Sequence, residues 1–250
     1  MARHESRNAS DSGVFGGARI GKTLLSRLIV EYCRADTQPV AAYTINPIDV
    51  ALGDFLPDAV STVSLAETRG QMALFDRLVM NDATTKVVDI GDQALDPFFT
   101  IAYDIELAAE ARGRGIDVIV AYVADPSDLS SRTYAALQAR FPEFAFVPVF
   151  NDAVARGIEF RSMLAARPGG TQPLLLPKMS PQVHAIADHH PFSFIHFLRN
   201  PPSNLPRALR DEVDGFVKRV NRQWREIELS LLLNRLRLSL SDSSPASGGI

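Results

Sequence analysis

The chain has 250 residues, of which 46% are hydrophobic and 22% charged, and a formal net charge of −3. That composition suits one α/β domain of ordinary size, or one domain with an appendage, and supplies ample apolar material for a core. It excludes a general electrostatic pull toward nucleic acid or acidic membranes, an internal disulfide, because Cys33 is the single cysteine, and a membrane-spanning helix, because no long unbroken apolar run occurs. A reducing cytoplasm is the compartment this cysteine usage fits, with Cys33 as a packing residue.

Met1 to Gly13 is polar, with His4, Glu5, Arg7, Asn8, Asp11 and Ser12, and lacks the apolar core of a signal peptide. Only Val14 and Phe15 precede the next feature as apolar residues, a short lead for a buried strand. That feature is Gly16-Gly17-Ala18-Arg19-Ile20-Gly21-Lys22-Thr23, which meets the G-x-x-x-x-G-K-[ST] pattern of a phosphate-binding loop at every constrained position. The glycines let backbone N–H groups close round a polyphosphate, and the loop opens a helix whose N-terminal amides and dipole favour anions. Lys22 reaches the β- and γ-phosphates and the Thr23 hydroxyl ligates Mg²⁺ in such a loop. Leu24, Leu25, Leu28, Ile29 and Tyr32 then recur on one face of a helix running to about Cys33.

Beyond the turn at Thr37-Gln38-Pro39, Val40 to Ile45 reads as a buried strand ending in Asn46-Pro47-Ile48-Asp49. A short strand near Val60 to Val63 and a helix from about Glu67 to Met80 follow. Lys86 to Asp92 is a strand that ends in Asp89, Gly91 and Asp92. One helix is expected from Asp96 to Arg114, closed by Gly113 and Gly115. Asp117 to Val123 is the clearest parallel-type strand. A helix from Asp125 to about Phe141, a strand from Phe144 to Phe150, a helix from Ala153 to Ala166 and a short strand Leu174 to Leu176, ending at Pro177, complete the alternation. This pattern predicts an α/β fold: a mostly parallel sheet, helices on both faces, and ligands at the carboxyl ends of the strands. Residues 1–12 are expected to be a flexible N-terminus, 13–199 the nucleotide-binding domain, 200–240 a C-terminal helical extension and 241–250 a disordered tail.

Candidate chemistry follows from position. Asp89 ends a hydrophobic strand, where a phosphate-loop protein places the acid that holds Mg²⁺ opposite Thr23. Asn151, at another strand end, either reads a purine edge with its amide or caps a turn with Asp152. The histidines 184, 189, 190 and 196 lack metal-site spacing.

Over roughly Gly13 to Asp188 the chain resembles the SIMIBI class of P-loop NTPases, in particular the ParA/MinD group of ATPases. The resemblance rests on the loop Gly16 to Thr23, on Thr44-Ile45-Asn46-Pro47 standing where that group has acid-x-acid-Pro, and on Val88-Asp89-Ile90-Gly91. It implies ATP and Mg²⁺ as cofactors. The loop residues Gly16, Gly17, Ala18, Arg19, Ile20, Gly21, Lys22, Thr23 and Leu24 would contact the nucleotide, and Asn151 and Pro177 match adenine-contacting positions. Two departures stand out. Gly17 occupies the place of the group's extra lysine, a charge that Arg19 could supply instead, since a guanidinium suits phosphate. Asn46 replaces the acid that positions attacking water, with Thr44 where the first acid would be, and Asp49 is the nearby carboxylate that could substitute. With Lys22, Asn46 and Asp49 as catalytic candidates, the expectation is nucleotide binding with slow hydrolysis.

The leading reading is a nucleotide-dependent switch of ParA/MinD type, concerned with partition, conjugation or positioning and acting at most as a weak ATPase. Alternatives are an ATP-dependent ligase like dethiobiotin synthetase, or a nucleotide-binding scaffold without hydrolysis. After Asn200-Pro201-Pro202-Ser203-Asn204-Leu205-Pro206 a long helix is expected. Val213, Phe216, Val217, Val220, Trp224 and Ile227 form one stripe, followed by Leu229, Leu231, Leu232, Leu233, Leu236, Leu238 and Leu240. This segment either completes the core or docks a second subunit, as a homodimer or with a protein partner. Direct nucleic-acid binding is not indicated.

Overall fold

The computed structural model describes residues 20–45, 51–154 and 171–242. In chain order these form α1 (Lys22–Ala35), β1 (Val40–Ile45), α2 (Leu52–Phe55), β2 (Val60–Thr62), α3 (Thr68–Leu78), β3 (Thr85–Ile90), α4 (Asp92–Asp104), α5 (Leu107–Gly113), β4 (Ile119–Ala124), α6 (Asp128–Arg140), β5 (Ala145–Asn151), β6 (Leu174–Leu176), α7 (Pro181–Asp188), α8 (Phe194–Arg199) and α9 (Arg207–Asp242). The strands make two three-stranded sheets in the orders β2-β1-β3 and β4-β5-β6. Every pairing is parallel, as the alternation of strands and helices requires.

Side-chain alternation along each strand divides the core into two layers. On β5, Val147 and Val149 join one cluster, with Leu28 of α1, Phe194 of α8 and Phe216 of α9. Phe146 and Phe150 turn to the other face and meet Phe98 and Phe99 of α4 and Tyr134 of α6. Helices therefore cover both faces, as expected for a parallel sheet. A third cluster joins Val30 of α1, Ala42 of β1, Leu52 and Phe55 of α2, and Val87 of β3.

Among the described residues β3 and β4 each pair on one side only, and residues along both strands line one cavity of about 620 Å³. That opening explains an otherwise odd feature. Ile119 to Tyr122, within the apolar strand β4, is only half-buried.

Two expectations change. The single helix foreseen from Asp96 starts at Asp92 instead, runs through Pro97, and breaks at Glu106, whose φ of 53° is left-handed. Burial of Ala94 against the second cluster favours the earlier start, which the Asp96-Pro97 cap signal had masked. Short helices α7 and α8 occupy a stretch where none was expected. Both have a serine N-cap, Ser180 accepting from Val183 N–H and Ser193 from His196 N–H, but they are too short to show a periodic stripe. The helix expected from Ala153 to Ala166 lies, beyond Val154, outside the described residues.

The buried Arg27 ties α1 to this region. Its guanidinium donates to the Ala187 carbonyl at 3.0 Å and stacks 3.9 Å from the centre of the Phe55 ring. Burial lowers its pKa to about 10, so it stays charged at neutral pH. One turn on, Glu31 accepts the backbone N–H groups of Phe194 and Ile195 at 3.0 and 2.9 Å, capping α8 from a distance.

The long C-terminal helix is divided. Val213, Phe216, Val217, Val220, Trp224 and Ile227 are buried in the core, whereas Leu229, Leu232, Leu233 and Leu236 are exposed by about half. The side chains of Leu238 and Leu240 lie outside the described residues. No helix among the described residues is long and apolar enough to cross a membrane.

Candidate functional site

The segment that carries the G-x-x-x-x-G-K-[ST] pattern enters the described structure at Ile20. Gly21 caps α1 with φ 109°, a left-handed conformation that favours glycine. Space demands glycine as well: a Cβ there would stand 2.8 Å from the Asn151 amide nitrogen and 3.3 Å from Leu176. The ends of β5 and β6 thus press directly on the loop. Asn151, buried at the end of β5, donates its amide to the Ile20 carbonyl at 3.0 Å and accepts from Ala153 N–H at 3.0 Å. Pro177 follows β6 directly, and the Leu176 carbonyl accepts from Asp152 N–H at 2.9 Å. Asn151 and Pro177, far from the loop in sequence, therefore stand at strand ends beside it. Gly16, Gly17, Ala18 and Arg19, and also Asn46 and Asp49, lie outside the described residues.

The first turn of α1 faces the end of β3. Thr23 Oγ1 donates to Asp89 Oδ2 at 2.9 Å, and Ser26 Oγ donates to Asp89 Oδ1 at 3.1 Å. Asp89 is almost fully buried, and burial raises its carboxyl pKa against the lowering effects of the Thr23 and Ser26 hydroxyls and the Lys22 charge. Lys22 pairs with Asp92, the first residue of α4. Leu24 packs against the core beside these residues, and Ile20 lies within it.

Thr44 is the register partner of Asp89, on the adjacent strand β1. Side chains at paired positions of neighbouring strands share a face. Thr44 is fully buried, and among the described residues its hydroxyl oxygen has no hydrogen-bond partner. An orphaned hydroxyl beside a desolvated carboxylate and the Thr23 hydroxyl makes a hard, oxygen-rich donor set. Mg²⁺ uses one or two protein oxygens and draws the rest from phosphate and water, so Thr23 and Asp89 fit that ion, with Thr44 placed to bind a water of its shell.

Spacing had assigned no role to Ser26 or Asp92. Ser26 lies three residues after Thr23, so helical geometry puts both hydroxyls on one face. Asp92 carried no signal beyond lying three residues past Asp89. The histidines make other contacts: His184 pairs with Asp188 at 3.2 Å, and His190 packs edge-on against Phe55 with ring centres 5.8 Å apart.

A scan against protein-family models and a search of curated proteins match this chain to none.

Proposed function

We propose that this protein is a nucleotide-binding switch of the ParA/MinD type, which takes up ATP with Mg²⁺ and hydrolyses it slowly. The observation that carries the reading is the apposition of Lys22 and Thr23, at the start of α1, to the buried Asp89 at the end of β3. That puts an ammonium, a hydroxyl and a carboxylate at the mouth of a helix N-terminus, where polyphosphate and its cation are stabilised together. In this reading Gly16 to Arg19 complete the loop, Asn151 holds it at Ile20 with Pro177 near the base, and Mg²⁺ neutralises charge on the phosphates. In this reading Asn46 would orient water without accepting a proton, which makes turnover slow, and Asp49 would be the candidate base.

The exposed Leu229, Leu232 and Leu233 support docking against another protein surface, in the first instance a second copy of the chain. Arg235 and Arg237 are too few for strong attraction to anionic lipid. A ligase of the dethiobiotin-synthetase type would need cations to hold a carboxylate substrate, whereas acids outnumber cations in the cavity lining here, with Lys22 and Lys86 against Asp82, Asp89, Asp92, Asp117, Asp125 and Glu228. The buried, free Cys33 accords with a cytoplasmic setting.

A thermal-shift titration with Mg-ATP, Mg-GTP and neither tests the reading. Stabilisation by a Mg-nucleotide is expected; a melting temperature unmoved by millimolar amounts of both would refute it.

A further inference from the structure

Beyond Ile227, α9 carries leucines on two faces. Leu231 stands one turn after Ile227 and continues the stripe that packs on the core. Leu229, Leu233 and Leu236 recur at steps of four and three and fall on the opposite side, each about half exposed. That spacing is the apolar seam of a helix that pairs with another helix. The charges beside the seam differ at its two ends. Glu226 stands one turn before Leu229, and Arg237 one turn after Leu233, and helical geometry sets both on the same flank. Glu226 is exposed and meets Arg222 at a long 4.0 Å. The neighbouring arginines are engaged within the chain: Arg225 with Asp36 at 3.2 Å, and Arg235 with Asp117 at 2.8 Å.

We infer that two copies pair through this seam with their α9 helices antiparallel, about a two-fold axis beside Leu232 and Leu233. This rests on the self-docking reading above and adds an orientation and a register to it. In this register Leu229 of one copy packs against the partner's Leu236. Antiparallel helices match like flanks, so Glu226 of each copy lies alongside the partner's Arg237. A parallel pair would set Glu226 level with the partner's Glu226 and Arg237 level with the partner's Arg237. Charge complementarity therefore selects the antiparallel pair. The contact is self-complementary, so each favourable pair occurs twice and assembly stops at two. A seam of about two helical turns buries too little for an obligate dimer, which makes the pair weak and concentration-dependent.

Mild oxidation of full-length cysteine variants reads the orientation, the native Cys33 being buried. Leu233→Cys, beside the axis, should cross-link to itself. Leu229→Cys should not, because its counterpart lies about 10 Å further along the helix, beyond disulfide reach. Mixed with Leu236→Cys chains, it should cross-link. Glu226→Arg should weaken dimerisation about tenfold in sedimentation, the scale of two exposed attractions turned to repulsions. Adding Arg237→Glu to it should restore the wild-type affinity. Each variant should melt within a few degrees of wild type, since the changed side chains are exposed. Self-cross-linking of Leu229→Cys, or no recovery in the double charge variant, would overturn the antiparallel pair. A wild type that stays monomeric at every concentration, with and without Mg-ATP, would overturn the self-docking reading itself.

Discussion

Thr44 and Asp89 face each other across the β1–β3 pair as, among the described residues, a buried hydroxyl without a partner and a buried carboxylate that accepts from the Thr23 and Ser26 hydroxyls of α1. Neither is a comfortable tenant of a protein interior. A buried unsatisfied hydroxyl costs on the order of 1–3 kcal/mol. Thr44→Val keeps the shape and the β-branching while removing that hydroxyl. It should raise the stability of the nucleotide-free protein by about 1 kcal/mol and weaken Mg-nucleotide binding several-fold. Denaturant unfolding and calorimetry on the same variant measure the two effects. A loss of stability would show that the hydroxyl is satisfied in solution.

Lys22→Ala should abolish nucleotide binding and leave the fold intact. The side chain is part-exposed, so its truncation removes little packing, whereas its contact with phosphate is charge-assisted. The melting temperature without nucleotide should shift by no more than a few degrees. Equal nucleotide affinity in wild type and variant would sink the phosphate-loop assignment.

Glu31 gives a pH signature. Burial raises its carboxyl pKa above the ordinary 4.5, against the lowering influence of the Ile195 and Phe194 N–H groups, the Ser193 side chain and Arg27. Below pH 4.5 the group is protonated in both folded and unfolded chains and exacts no penalty. As pH rises, the unfolded chain ionises first, so stability falls across the window up to the folded pKa. Glu31→Gln should flatten that part of the stability profile relative to wild type, at the cost of one acceptor for the start of α8. A profile with the wild-type slope would place the titration elsewhere.

The outer half of α9 supplies the last prediction. Leu229→Gln with Leu233→Gln changes exposed side chains one turn apart, so the melting temperature should hardly move. If these leucines dock a second copy, light scattering should show a dimer in wild type and a monomer in the variant. A wild type that is monomeric at micromolar concentration in the presence of Mg-ATP would remove self-association from the proposal. The stripe Val213, Phe216, Val217, Val220, Trp224 and Ile227 lies in the core, so polar substitutions there should unfold the protein instead.

What the sequence determined by itself is what local chemistry can write. The pattern from Gly16 to Thr23 is legible because each constrained position answers to a backbone or charge requirement within eight residues, and it is the basis of the proposed ligand class. The parallel α/β architecture follows from apolar strands alternating with amphipathic helices. The strand-end position of Asp89 could be read from the run Val87-Val88 before it. Only the tertiary structure decided matters that depend on residues meeting across the chain. Asn151 holds the Ile20 carbonyl over 131 positions of sequence, a contact that no spacing rule could anticipate. Asp92 looked like one more turn acid until the register of α4 against α1 set it on Lys22. Arg27 and Glu31, four residues apart, carried no signal in the sequence, yet both are buried where Phe55 of α2, the Ala187 carbonyl of α7 and the start of α8 meet that face of α1. The leucines of α9 look alike in sequence. Whether each is core or surface was settled by where the sheet beneath them ends, since periodicity specifies a face of a helix but not how far its partner extends.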